Sequence, residues 1–226
     1  MFSRPSLTIF GAGGYAKAIF DACCAGGVPV AAFAERSPEP GAMFMGLPIL
    51  AEAAVLTRPD APHIALGIGD NWLRCRLAGA VQSKRPDVQF CTVRHPAAQI
   101  SSHAHIGEGT VLLAGCFVGP SASIGRHVTL WSNSVAEHDT VLEECVTLAP
   151  GAKTGGQAFI GARAFLGVNA SVNDGVRIGA DTVVGSQGAV VRDLPPAALA
   201  MGVPARVVRM RTPGEPYLER SSERNG

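Results

Sequence analysis

Aromatic residues are scarce in this chain, at 6% of 226 residues. Such a composition suits a narrow core with little room for rings. Charge is also sparse, 16% of residues with a formal net charge of +1, and no basic cluster precedes the C-terminal tail. Nucleic acid is thereby excluded as the principal partner. No apolar run reaches membrane-spanning length, so no membrane insertion is expected, and no secretory leader precedes the first strand. The six cysteines (Cys23, Cys24, Cys75, Cys91, Cys116 and Cys145) form no C-x-x-C pair. That pattern fits a reducing, cytoplasmic setting.

What the chain does have is aliphatic residues at a fixed spacing. From Ile100 to Val190 an aliphatic or small residue recurs every six positions without insertion: Ile100, Ile106, Leu112, Val118, Ile124, Leu130 and so on, with Ala136 and Thr154 the two anchors that are not large aliphatics. The residue four places after each anchor is mostly small or β-branched, and Cys116 falls there, as a core residue would. A unit this short makes one strand and one turn. Three units close a triangular coil of 18 residues, so like positions stack at a strand spacing of about 4.8 Å and each coil touches only its neighbours.

Three segments follow. Residues 1–95 read as an α/β half-domain of Rossmann-like type, with strands at 6–10, 28–33 and 64–68 and helices at 15–24 and 72–81. Residues 96–195 form the coil, beginning after the breaker Pro96. The segment 193–196 leaves it, and residues 196–226 are an extension and tail that reads as disordered from Thr212 onward. Between the first strand and helix lies Gly11-Ala12-Gly13-Gly14-Tyr15-Ala16. Such a turn lets backbone approach a phosphate at a helix N-terminus, and Glu35 lies about where an acid would meet a ribose. Taken alone the turn suggests a nicotinamide enzyme. The space before the coil is too short for a full dinucleotide domain and long enough for a half-domain binding one nucleotide, so NAD is not expected. A tight βα turn without ligand is the alternative.

The coil departs from its own pattern over one rung. Glycine follows the anchor in half of the units, but Trp131, Glu137, Glu143 and Ala149 stand there in four consecutive ones. Inside this stretch lies Glu137-His138-Asp139. One rung back the position equivalent to His138 is Pro120; one rung on it is Gly156. A histidine that accepts a proton near neutral pH, a carboxylate that holds its tautomer and a bare glycine amide are the parts of an acyl-transfer site. A surface histidine on a polar corner is the plainer reading. His103, His105 and His127 do not have the spacing of a zinc site, and no metal is expected.

The [LIV]-G-x-x-x-x unit resembles the hexapeptide repeat of the left-handed β-helix acyltransferases, and the left hand comes from that resemblance. Over residues 6–210 the chain resembles bacterial sugar acetyltransferases of the sialic-acid O-acetyltransferase type, including enzymes that act on nucleotide-linked 4-amino sugars. The resemblance is carried by Gly11 to Lys17, Gly67-Ile68-Gly69-Asp70-Asn71 with Arg74, Asn133, Glu137-His138-Asp139, Pro150-Gly151-Ala152 and Gly202-Val203-Pro204-Ala205-Arg206. It implies His138 as general base, Asp139 as the acid that orients it with Glu137 alongside, and Gly156 as the amide meeting the thioester carbonyl. It implies a homotrimer with acetyl-CoA in the groove between adjacent coils, lined by Val168, Ser186, Gly202, Pro204 and Arg206, with Arg209 a further phosphate partner. The nucleotide sugar would meet Gly11, Gly13, Gly14, Tyr15, Glu35, Arg36, Gly67, Asn71, Arg74 and Asn133. Tyr15 replaces a histidine of some relatives, Ala34-Glu35 a common Asp-Asp, and Thr147 a second histidine near the thioester. The expected reaction, within polysaccharide biosynthesis, is direct acetyl transfer from acetyl-CoA to the amine of a nucleotide-linked 4-amino-4,6-dideoxy sugar. O-acetylation of a free sugar such as sialic acid is the alternative, and a non-catalytic or metal-binding trimer a third.

Overall fold

The computed structural model describes residues 6–60 and 62–217. The N-terminal part is a six-stranded sheet. Its central strand β1 (Leu7–Phe10) lies between β2 (Val30–Glu35) and β5 (His63–Leu66), both parallel to it. The hairpin β3–β4 (Met43–Phe44, Leu47–Ala51) extends one edge and β6 (Gln89–Phe90) the other. All four residues of β1 are buried, as a continuous apolar run covered on both faces requires. Helices α1 (Gly14–Ala25) and α3 (Asn71–Lys84) follow β1 and β5, and a short α2 (Glu52–Leu56) follows β4. The expected strand–helix–strand order is present. The β3–β4 hairpin and α2 occupy an interval for which the sequence pattern predicts nothing.

The rest is a three-sided coil of two-residue strands in parallel register. Face I stacks strands at 93–94, 111–112, 129–130, 147–148, 165–166 and 183–184. Face II stacks 99–100, 117–118, 135–136, 153–154, 171–172 and 189–190, and face III stacks 105–106, 123–124, 141–142, 159–160 and 177–178. Partners are 18 residues apart, as in Val118↔Ala136 and Ala136↔Thr154. The anchors and the small residues four places on fill one continuous core.

The corners have a period of their own. A residue with positive φ recurs every six positions from Gly109 to Gln187, among them His127 (55°), Asn133 (59°), Asp139 (56°), Cys145 (57°) and Asn169 (55°). With bonds such as Ser134 N–H to Trp131 O (3.1 Å), these are type II turns, and Pro120 and Pro150 take the turn position that favours proline. Most of the left-handed positions carry a side chain; the His127 ring lies over Gly109, and the Asn133 and Asn169 amides lie over Gly115 and Gly151.

At both ends the coil exceeds the span predicted for it. Val93–Arg94 already pairs with Val111–Leu112. Beyond Val190 the register shortens by two residues and the coil continues. Leu194 bridges Ile178, Ala198–Met201 joins face I, and Leu194 and Ala200 lie in the same core. An antiparallel strand, Arg206–Met210, closes the top of face I. Residues 212–217 are placed, contrary to the expected disorder. Tyr217 stacks on Phe165 and its hydroxyl accepts the Asn71 N–H at 2.9 Å, tying the chain back to the start of α3. The remainder of the tail lies outside the described residues.

The α/β part docks on face I through a buried polar junction. Arg74, 1% exposed, donates from Nε to His127 O (3.0 Å) and from Nη2 to Cys145 O (2.9 Å) and Thr147 Oγ1 (3.1 Å). Its Nη1 serves Ile68 O (3.0 Å), and Asn71 Nδ2 donates to Ala164 O (2.9 Å). Leu113 and Trp131 pack into the core of the α/β part.

Candidate active site

His138 stands on the corner between faces II and III. The Val135–Ala136 strand delivers it, and the left-handed Asp139 turns the chain so that its carboxylate comes back to the imidazole: Asp139 Oδ2 accepts from His138 Nδ1 at 2.8 Å. That bond selects the tautomer protonated at Nδ1 and leaves the Nε2 lone pair open. Both side chains are half-exposed. The hydrogen bond to Asp139 raises the His138 pKa above its usual value, outweighing slight desolvation, with help from the negative charges of Asp139, Glu137 and Asp174. Glu137 Oε2 accepts the His138 backbone N–H at 3.3 Å.

Two features of the neighbouring rung shape this corner. Gly156 lies against the His138 ring, where a Cβ would overlap Cε1 and Nε2. Thr154, the polar anchor of the core, is buried, and its hydroxyl meets Thr140 Oγ1 at 3.2 Å and the Glu137 N–H at 3.3 Å. Along this edge the N–H after each anchor donates to the anchor carbonyl of the next coil, as in Gly119 to Ala136 O and Gly155 to Val172 O. Glu137 departs from that ladder and takes the threonine hydroxyl instead. The two anchors that are not large aliphatics, Ala136 and Thr154, are thus paired at the root of the histidine corner.

One expectation is overturned here. The Gly156 N–H is not free in this structure, because Asp174 Oδ1 accepts it at 2.8 Å. Asp174 occupies the His138 position two rungs on and is found by the same 18-residue count that leads to Gly156.

The other candidate residues gather elsewhere. Tyr15, Gly69, Arg74, Thr129, Trp131, Thr147, Ala149, Pro150, Phe165 and Val168 line a cavity of about 180 Å³ between the α/β part and the corner joining faces I and II. Tyr15 is buried there, its hydroxyl 2.7 Å from Thr129 Oγ1 and its ring 5.4 Å from that of Trp131. Burial raises the Tyr15 pKa, with Arg74 opposing. The irregular rung therefore divides: Trp131 and Ala149 face this cavity, whereas Glu137 belongs to the histidine corner. Ser186 follows Val168 up the same edge, and above it the Gly202-to-Arg206 turn packs on Ala189 through Ala189 N–H to Gly202 O (3.0 Å). Face II separates this edge from His138, so one chain does not bring the two groups together.

Gly11 and Gly67 are required for packing, since a Cβ on either would press on the other strand's end at about 3 Å; Gly11 also has φ +108°. Gly13 and Gly14 are exposed with open space above them, and Gly13 is the N-cap of α1, with no side-chain cap. Among the described residues no side chain caps the helix's first N–H groups, and uncapped N–H groups at a helix start are what an anion site uses. Glu35 and Arg36 stand at the end of β2, beside this turn. Three residues expected at the substrate have other work. Asn71 is fully buried and its amide is used within the junction; Arg74 edges the cavity, but its guanidinium serves the coil; Asn133 is a turn residue stacked on Gly115. Arg206 is exposed, while Arg209 is paired with Glu215 and is not a free phosphate partner. Among the described residues no group of three or more His, Cys, Asp or Glu is arranged to hold a metal ion, and no helix is long and apolar enough to cross a membrane.

The family described as "PglD N-terminal domain" matches residues 6–81. A serine acetyltransferase of Mycobacterium tuberculosis is 30% identical over 54% of this chain and 48% of its own length. A GDP-perosamine N-acetyltransferase of Escherichia coli O157:H7 is 26% identical over 60% of this chain and 61% of its own. The chain thus spans about half to three-fifths of these curated relatives. A crystal structure of a histidine-to-alanine variant of GDP-perosamine N-acetyl transferase from Caulobacter crescentus, in complex with CoA and GDP-perosamine, is similar over 90% of this chain and 96% of that one, with 34% identity and a TM-score of 0.85.

Proposed function

Because the chain belongs to the left-handed β-helix family of sugar acetyltransferases, we propose that it moves acetyl from acetyl-CoA to the amine of a nucleotide-linked amino sugar. The observation that carries this reading is the His138–Asp139 pair, with Nδ1 held at 2.8 Å and Nε2 left open against Gly156. The amine nitrogen attacks the thioester carbonyl carbon while His138 Nε2 takes the proton that nitrogen loses. The tetrahedral oxyanion then collapses, the C–S bond breaks, and the imidazolium returns its proton to the departing thiolate of CoA. Asp139 stabilises the imidazolium throughout.

The exposed Gly13–Gly14 turn and uncapped start of α1 support a site for the nucleotide's phosphates, and the cavity beside Tyr15 and Trp131 one for the sugar. The relative's complex with GDP-perosamine supports a 4-amino-4,6-dideoxy sugar as acceptor. His138 and this cavity lie on opposite edges of face II, so a second copy must supply one of them. We infer a homotrimer in which acetyl-CoA lies between coils, along Val168, Ser186 and the Gly202-to-Arg206 turn of one copy and His138 of the next. Exposed Met201 (48%), Val203 (76%), Val208 (61%) and Met210 (56%) support burial of this end against a neighbour. Such a reaction has its substrates in the cytoplasm.

The test is CoA release from acetyl-CoA with a panel of UDP-, TDP- and GDP-linked amino sugars and free sialic acid. Activity with at least one nucleotide-linked amine, falling by about 10²–10⁴-fold in His138→Ala, is expected. Turnover of the variant within a few-fold of the parent would remove His138 from the reaction, and activity confined to free sialic acid would replace the acceptor.

A further inference from the structure

Resting on the acetyl-transfer reading, we propose that Asp174 is a positioning residue of the acyl-donor site: its carboxylate holds the Gly156 N–H in the free protein, and the thioester carbonyl oxygen of the donor displaces it.

His138, Gly156 and Asp174 are one column, each 18 residues from the next, at a single corner of the coil. The two adjacent glycines make room in different directions. A Cβ on Gly156 would overlap the His138 ring, while a Cβ on Gly155 would come within 2.7 Å of Asp174 N and 3.0 Å of its Cγ and Oδ1. The bare pair therefore admits the imidazole from one side and the carboxylate from the other. Asp174 Oδ1 accepts the Gly156 N–H at 2.8 Å, the length of a charge-assisted bond. A carboxylate oxygen on this amide makes the bond that a tetrahedral oxyanion would make. One N–H directed at a single anion does not stabilise two, so the carboxylate must yield before the intermediate forms. It is able to: Asp174 is exposed at a turn and makes no other hydrogen bond or ion pair among the described residues.

Acetyl-CoA presents a thioester carbonyl oxygen that competes for this amide, and CoA lacks the acetyl group that carries it. Asp174 therefore weakens the donor relative to the product, and its carboxylate also adds to the negative field that holds the His138 pKa up.

The test is titration calorimetry of the full chain with acetyl-CoA and, separately, CoA. In Asp174→Ala the affinity for acetyl-CoA is expected to rise roughly 3- to 10-fold, the equivalent of one net hydrogen bond, while that for CoA is unchanged. Asp174→Asn retains a neutral acceptor and is expected to shift the same ratio by less. The acid limb of kcat/KM moves to lower pH in both. An acetyl-CoA to CoA affinity ratio that stays at the parent value in both variants overturns the assignment. A parent protein that binds neither ligand overturns the acetyl-transfer reading itself, so the two failures are distinguishable.

Discussion

Gly156 lies against the imidazole of His138, so that a methyl group at position 156 would occupy the space of Cε1 and Nε2. The glycine's φ is not in the left-handed region, so its backbone accepts alanine without strain. Gly156→Ala is therefore expected to leave the coil intact and push the imidazole out of line. A melting temperature within a few degrees of the parent, with kcat reduced by about 10²-fold, is the expected result, since a misplacement near 1 Å costs that much. Parental kcat would show that His138 is not read from this position.

The hydroxyl of Thr154 replaces a backbone acceptor for the Glu137 N–H inside the coil. Thr154→Val restores an ordinary aliphatic anchor and removes that acceptor together with the partner of Thr140. A loss of about 1–2 kcal/mol is expected from the unpaired N–H, partly offset by the added methyl. The more telling readout is kinetic: kcat falls several-fold while KM for acetyl-CoA holds, and Thr154→Ser, which keeps the hydroxyl, restores it. Chemical denaturation and steady-state rates on the three proteins check both parts.

The period of six was legible because it is steric. An inward position in a coil this narrow admits only aliphatic or small side chains, and any slip would turn every anchor outward. The exceptions Ala136 and Thr154 were visible too, and they stand at the root of the histidine corner. Counting 18 residues from His138 leads to Gly156, and counting again leads to Asp174, so the competitor for the glycine amide was available from the sequence by the same arithmetic. Other features were not. The glycine losses at Trp131 and Ala149 serve a cavity under the α/β part, which cannot be separated from the Glu137 corner until the faces are assigned. Arg74 reads as a substrate arginine within its helix, and only docking of that helix on face I turns its donors to His127 O and Cys145 O. Tyr217 carries no periodic signal, and its contact with Asn71 depends on the chain folding back across the coil.

Arg74 is the centre of the junction between the two parts of the molecule. Arg74→Met keeps much of the apolar stem and leaves the carbonyls of His127 and Cys145 without their charged donor. Each buried acceptor left unpaired costs about 1–3 kcal/mol, and lysine does not reproduce the planar fork that reaches Ile68, Asn71 and Thr147 at once. Calorimetry is expected to show the α/β part melting ahead of the coil in both Arg74→Met and Arg74→Lys. A single transition at the parent temperature in the methionine variant would mean that apolar packing alone holds the parts together.

His127 gives the fold a pH dependence separate from that of the reaction. Its ring is buried at a left-handed corner, edge-on to Phe90 at 4.7 Å, and neither ring nitrogen has a hydrogen-bond partner among the described residues. Burial, reinforced by the positive charges of Arg126 and Arg74, lowers its pKa from 6.5 to about 4. The unfolded chain therefore binds a proton at this site between pH 6.5 and pH 4 that the folded chain refuses. Stability from this residue is complete above pH 6.5 and falls as the pH drops toward 4, by about 3 kcal/mol over the interval. His127→Asn keeps a side chain that tolerates positive φ and removes the titration. The variant is expected to show a flatter dependence of unfolding free energy on pH from 6.5 to 4, whatever its stability at neutral pH. Urea melts of both proteins at half-unit steps measure the slope, and equal slopes would mean that His127 binds its proton equally in the folded and the unfolded chain.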